Sequence, residues 1–121
     1  MQLQESGEMY LEAIFVLSQR GKPVRSIDVG EYLGYTKPSV SRAMSLLKSG
    51  GYVVMDKDAY LTLTEAGKEI AARIYERHRV LSRLFMDLGV DEETATQDAC
   101  RIEHVISGQT FEAIKKHFGI E

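Results

Sequence analysis

Residues 26–51 read SIDVGEYLGYTKPSVSRAMSLLKSGG, and this stretch decides the fold. Apolar residues recur at helical spacing on both sides of Gly34, a residue type that commonly follows the last turn of a helix. Ser26 and Thr36 are each suited to cap a helix, and Pro38 falls in a first turn, where its missing N–H costs little. The stretch therefore predicts two short helices joined by a tight turn, with the second helix ending at a pair of glycines.

A β-hairpin is predicted directly after these two helices, and a longer helix before them. Residues 52–55 and 60–64 are rich in β-branched and aromatic side chains, and the polar residues between them are typical of a turn. The preceding helix is predicted over residues 5–19, where apolar side chains approximate one face. This order of helices and hairpin predicts a winged helix-turn-helix.

Three more helices are predicted in the second half of the chain. A long one runs from residue 64 or 65 to about Leu88, the next begins after Asp91, and the last starts at Thr110. A long helix pair behind a small DNA-binding module usually serves dimerisation, because reading two half-sites requires two copies. The predicted fold class is therefore mainly α, with an N-terminal winged helix-turn-helix DNA-binding domain over residues 1–63 and a helical dimerisation domain over residues 64–121.

Composition and charge are those of a small globular protein. The chain has 121 residues, 44% of them apolar, and no apolar run approaches the ~20 residues that span a bilayer. The polar N-terminus has no signal-peptide pattern, so we expect a cytoplasmic protein. The net charge is −3, but residues 20–58 contain seven basic and four acidic side chains. A basic block with acidic flanks suits a segment that approaches DNA, attached to one that holds cations.

The second helix of the pair is the candidate recognition helix. Its N-terminal half, aimed into the major groove, would bring short hydroxyls and a proline to base edges, while arginine and lysine can reach phosphates. Each residue taken singly is more often part of a solvated surface, but the complete order of elements favours DNA binding. The DNA-contact candidates are Arg25, Lys37, Pro38, Ser39, Ser41, Arg42, Lys48 and Lys57.

Cys100, Glu103 and His104 form the strongest chemical signal. At i, i+3 and i+4 on a helix they project from one face, as a thiolate, a carboxylate and an imidazole. This set suits a divalent transition metal better than Ca²⁺ or Mg²⁺, which prefer oxygen ligands. Taken singly, each has an ordinary structural explanation, such as core packing for the thiol. A second set could complete or double the site: Met9, Glu12 and His78.

At these residues the sequence resembles the iron- and manganese-dependent repressors of the diphtheria-toxin-repressor family, in their short two-domain form. The resemblance runs from about Glu8 to Ser107, and its most specific block is DACRIEHVIS at residues 98–107. It implies a homodimer that binds double-stranded palindromic operator DNA when a divalent metal is bound. It further implies repression of metal-uptake genes, with metal binding in the helical dimerisation domain.

The resemblance also implies a set of ligands. Glu12 matches a ligand position of the manganese-type branch, and His78 matches one in both branches. Ser82 and Thr96 stand where the iron-type branch has ancillary ligands, and neither is a good ligand. Soft ligands favour Fe(II), with Mn(II) as the second choice and Co(II), Ni(II) or Zn(II) able to bind in vitro. Four residues match ligand positions of the iron-type branch: Met9, Cys100, Glu103 and His104.

Other functions compete with a metal-dependent repressor. A winged-helix regulator that senses a small organic ligand without metal would need an apolar pocket between dimer helices. A thiol redox sensor would use Cys100, although the chain contains no second cysteine to resolve it. An enzyme is not expected, because the sequence has no HExxH motif, no nucleophile triad and no Gly-rich phosphate loop.

Overall fold

The structure, a computed structural model, describes residues 5–119. The predicted mainly α fold, with three helices and a hairpin ahead of three more helices, is confirmed. In chain order the elements are α1 (Glu5–Ser18), α2 (Ser26–Leu33), α3 (Lys37–Ser49), β1 (Val53–Met55), β2 (Leu61–Leu63), α4 (Glu65–Asp87), α5 (Glu92–Ile102) and α6 (Gly108–Phe118).

The chain divides into two compact units within α4. The first reaches Ala72 and the second begins at Arg73. The domain boundary predicted after residue 63 stays a prediction. Among the described residues, no helix has both the length and the apolar character needed to cross a membrane.

The two helices of residues 26–51, α2 and α3, begin with different caps. At α3 the prediction is confirmed, because the Thr36 side chain accepts the N–H of Ser39. At α2 it is wrong: Ser26 is the first helical residue, and Arg25 is the cap in extended conformation. The carboxylate of Asp28 accepts the N–H of Arg25 at 2.8 Å, so an acid in the first turn replaces a cap hydroxyl.

The hairpin has shorter strands than predicted and a tightly bonded turn. Its register pairs Val53 with Leu63, while residues 52, 60 and 64 lie outside the strands. In the turn, one carboxylate oxygen of Asp56 accepts N–H groups from Asp58 at 2.8 Å and Tyr60 at 3.0 Å. Ala59 adopts a φ of 67°, a left-handed conformation that is uncommon for a residue with a side chain.

The hydrophobic core of the first unit joins its helices to the hairpin. Leu11 and Ile14 of α1 are fully buried, as is Val29 of α2. In α3, one face packs against this core and the other face is exposed to solvent. The buried residues of α3 share helical spacing: Val40, Met44 and Leu47.

The second unit has a core of its own, formed where α4, α5 and α6 pack. Asp91 caps α5 by accepting the N–H of Thr94 at 3.0 Å, and this hydrogen bond lowers the pKa of the Asp91 carboxyl. The last helix begins at Gly108, two residues before the predicted start at Thr110, because Ser107 is its cap. The buried members of this core are Val80, Leu81, Leu84, Ala99 and Phe111.

Gly67, in the first turn of α4, packs directly against the backbone of the hairpin. A Cβ at this position would collide with the carbonyl oxygen of Tyr52, which also accepts the N–H of Thr64. Alanine ordinarily stabilises a helix relative to glycine by about 1 kcal/mol. We nevertheless expect Gly67→Ala to lower the free energy of unfolding by about 1–3 kcal/mol, because the obstructing atom belongs to the backbone.

The matched control is Gly108→Ala at the start of α6, where an added Cβ meets nothing within 4 Å. This variant should be as stable as the original chain or more stable. Thermal and urea denaturation followed by circular dichroism compares the two variants. Equal stability of the two would contradict the packing described at Gly67.

Candidate metal centre and nucleic-acid interface

A buried carboxylate stands between two imidazoles in the second unit. The side chain of Glu103 is 0% exposed, and its Oε2 lies 2.8 Å from Nδ1 of His78. The other oxygen, Oε1, lies 3.4 Å from Nε2 of His104 and accepts no hydrogen bond from any residue in the described range. A buried oxygen of this kind is costly unless something else satisfies it. One carboxylate and two imidazoles are suitable ligands for a divalent transition metal.

The backbone brings these three side chains together from two places. His78 lies on α4, and Glu103 is the C-cap of α5, with its N–H donating to the carbonyl of Ala99 at 2.9 Å. The expectation that Cys100, Glu103 and His104 share one helix is corrected, because α5 ends at Ile102. Beyond that residue the chain tightens into a turn, in which two successive N–H groups donate to the same carbonyl, that of Ile102.

Arg77 holds this turn from the neighbouring helix. Its Nη1 donates to the carbonyl oxygen of Glu103 at 3.1 Å and to that of Ile106 at 2.8 Å. Its guanidinium also lies 5.5 Å from the ring centroid of Phe111, a buried residue of α6. Sequence reasoning missed this role, and the only signal for it is that Arg77 directly precedes His78.

Cys100 is half-buried in the last turn of α5. Within the described chain, its Sγ does not lie within 4.8 Å of ligand atoms from both Glu103 and His104. By the same measure, the ligand atoms of His78, Glu103 and His104 do not all lie within 4.8 Å of one another, although Nδ1 of His78 contacts the Glu103 carboxylate. Of the two positions matched to ancillary ligands, Ser82 is buried on α4 and Thr96 is exposed on α5.

Met9 and Glu12 lie on α1 in the first unit, and both are half-buried. The hydroxyl of Tyr35 donates to Sδ of Met9 at 3.9 Å, a distance compatible with a weak hydrogen bond to sulfur. Tyr35 directly precedes Thr36, the cap of α3, and its ring meets that of Tyr10 edge-on. Met9 is thus in contact with the turn that leads into α3, a connection not visible from the sequence.

The residues predicted to contact DNA are all exposed. Six lie on α3, Arg25 precedes α2, and Lys57 lies in the hairpin turn. The first turn of α3 contains no acidic residue, so its positive end is open to a phosphate. The guanidinium of Arg25 lies 4.6 Å from the ring centroid of Tyr60, which associates this cation with the hairpin.

Comparisons with known proteins match the two halves of the chain to two family models. The first is described as the iron dependent repressor, N-terminal DNA binding domain, and it matches residues 2–61. The second is described as the iron dependent repressor, metal binding and dimerisation domain, and it matches residues 64–119. These matches favour a metal-dependent regulator over a sensor of a small organic ligand or a redox sensor.

Individual relatives agree with the family models. The diphtheria toxin repressor of Corynebacterium diphtheriae is 32% identical over 88% of this chain, which spans 48% of that repressor. The HTH-type transcriptional regulator MntR of Lysinibacillus sphaericus is 33% identical over 90% of this chain and 78% of its own length. The structure of the manganese regulator SloR superposes with a TM-score of 0.86 and 26% identity, over 100% of this chain and 56% of SloR. The predicted family is confirmed: the chain belongs to the iron-dependent repressor family of metal-dependent transcriptional regulators, which includes the diphtheria toxin repressor.

Proposed function

We propose that this protein is a cytoplasmic homodimeric repressor that binds palindromic operators of metal-uptake genes when Fe(II) or Mn(II) is bound. The observation that carries the proposal is the wholly buried Glu103 carboxylate, with His78 and His104 beside it. A divalent cation would give this carboxylate the opposite charge that a buried anion requires. The relatives supply the DNA-binding and metal-dependent parts of the proposal.

We propose that Glu103, His78 and His104 are the core ligands and that further ligands come from Cys100, Met9 and Glu12. When bound, the ion would supply positive charge and hold its ligands in one arrangement. Nitrogen and oxygen ligands accept both Fe(II) and Mn(II), whereas the thiolate and thioether favour Fe(II) over Mn(II). Fe(II) is therefore the proposed physiological ion, with Mn(II) as the alternative.

We propose that metal binding promotes DNA binding by setting the arrangement of the two recognition helices. In a homodimer the two copies of α3 must enter successive major grooves about 34 Å apart. Ions that fix their ligands favour one arrangement and shift the population towards it. Within the first unit, Sδ of Met9 accepts a hydrogen bond from Tyr35, which lies just ahead of α3. Metal binding by the thioether would therefore alter a contact at the start of the recognition helix.

Glu103→Gln should abolish stabilisation by metal without unfolding the protein. A bound ion at 100 times its Kd stabilises a fold by about 2.7 kcal/mol, which appears as a higher melting temperature in Mn(II) than in chelator. The amide removes the buried charge, so the metal-free variant should melt no lower than the original chain. Glu69→Gln, an equal charge change on an exposed residue, is the control and should keep the full metal effect. Retention of that effect by Glu103→Gln would remove Glu103 from the site.

Cys100→Ser should reduce the preference for Fe(II) over Mn(II). A hydroxyl is a harder and weaker ligand than a thiolate, so affinity for Fe(II) should fall more than affinity for Mn(II). Anaerobic competition titrations against a chelating dye measure both affinities. If both affinities stay unchanged, Cys100 is not a ligand, and the preference for Fe(II) loses its main support.

Arg42→Ala should weaken DNA binding and leave metal affinity unchanged. Arg42 is exposed on α3, and the loss of one phosphate contact should lower the salt dependence of binding by about one unit of slope. Fluorescence anisotropy in Mn(II), with duplexes enriched from a random library, measures both quantities. Lys116→Ala, on α6 of the second unit, removes the same charge and should have no effect. Equal weakening by both variants would mean that net charge, rather than α3, determines binding.

A further inference from the structure

We propose that Arg77 is a positioning residue that shapes the metal-binding turn before any ion arrives. This inference rests on the proposed function, because it takes Glu103 and His104 to be ligands. The two carbonyls that Arg77 holds, those of Glu103 and Ile106, stand at the two ends of the turn that carries both ligands. A single nitrogen, Nη1 of Arg77, therefore restrains the distance between the two ends of the turn that carries the proposed ligands.

The side chain of Ile106 packs against the core of the second unit, but the carbonyl groups of the turn need a hydrogen-bond donor from outside it. Carbonyl groups at the end of a helix lack partners within that helix, and the N–H groups of Val105 and Ile106 both return to the carbonyl of Ile102. Val105 is 72% exposed, so its side chain contributes little packing. A cation is favourable at this position, because the C-terminal end of a helix carries partial negative charge. Without Arg77, the carbonyls at both ends of the turn would lose their hydrogen bonds.

Arg77 itself is held in place from two sides. It is half-buried on α4 directly before His78, so the same turn of helix supplies a ligand and the restraint on two others. Its guanidinium also lies over the ring of Phe111, in the core of the second unit. The fully buried carboxylate of Glu103 lies 2.8 Å from Nδ1 of His78. A small movement of the turn would lengthen this contact, because Glu103 is part of the turn.

The test compares Arg77→Met with Arg83→Met. Both replacements remove one positive charge from α4 and keep an aliphatic side chain, but Arg83 is exposed. Loss of a group that orients metal ligands typically weakens binding by about 10–100-fold, and we expect this loss of Mn(II) affinity for Arg77→Met alone. Hydrogen exchange of the Val105 and Ile106 amides in the metal-free protein should be faster in Arg77→Met and unchanged in Arg83→Met.

Arg77→Lys provides a rescue and a second variant if Arg77→Met does not fold. Lysine keeps the charge and a donor but reaches less far, so its Mn(II) affinity should fall between those of the original chain and Arg77→Met. Affinity and exchange equal to the original chain in the folded Arg77 variants would overturn this inference and leave the proposed function intact. Failure of the original chain itself to bind Mn(II) or Fe(II) would overturn the proposed function first.

Discussion

The burial of the Glu103 carboxylate is the constraint on which the second unit depends. A buried anion is tolerated only where opposite charge and hydrogen bonds surround it. His78 contacts one oxygen, and Arg77 donates to the backbone carbonyls of Glu103 and Ile106, yet the second carboxylate oxygen accepts no hydrogen bond within the described chain. The fold therefore keeps an energetically unfavourable group in its interior, and departures of this kind from a core optimised for stability are expected at functional sites.

The first unit solves a different problem, because it must present a helix without burying it. Its core fixes α3 through one apolar face, and most residues of the exposed face are basic or carry hydroxyls, with Pro38 and Leu46 as the apolar exceptions. Pro38 and the Thr36 cap set where α3 begins, which determines the direction of its positive end. The exposed side chains can then vary without disturbing the buried face that maintains the fold.

Much of this architecture follows from local sequence rules, and the exceptions have physical causes. Thr36 and Asp91 cap their helices as expected, whereas Asp28 bonds the backbone of Arg25 and makes a hydroxyl at the cap unnecessary. The Ser107 hydroxyl caps α6, so this helix begins two residues before the expected start at Thr110. Such choices depend on which competing hydrogen bond forms, and residue type alone does not determine that.

Less of the candidate site than of the fold could be predicted from the sequence. Helical spacing identified Glu103 and His104 as neighbours, but the contact between Glu103 and His78 joins residues 25 positions apart. Their meeting depends on how α4 packs against α5, which periodicity does not specify. The same limit hid Arg77, whose partners are backbone carbonyls that carry no residue-type signal.

The hairpin turn described above has a consequence for the entropy of association. Asp56 binds two N–H groups of the turn, and Ala59 is held in a left-handed conformation that costs roughly 1–2 kcal/mol for an L-residue. Such a conformation persists only where its surroundings determine it, so the tip that carries Lys57 has little freedom before contact. A side chain delivered by an ordered tip loses less conformational entropy when it meets a phosphate than one carried by a long loop. In the proposed complex with DNA, the order of the hairpin turn would therefore lower the entropic cost of a phosphate contact by Lys57.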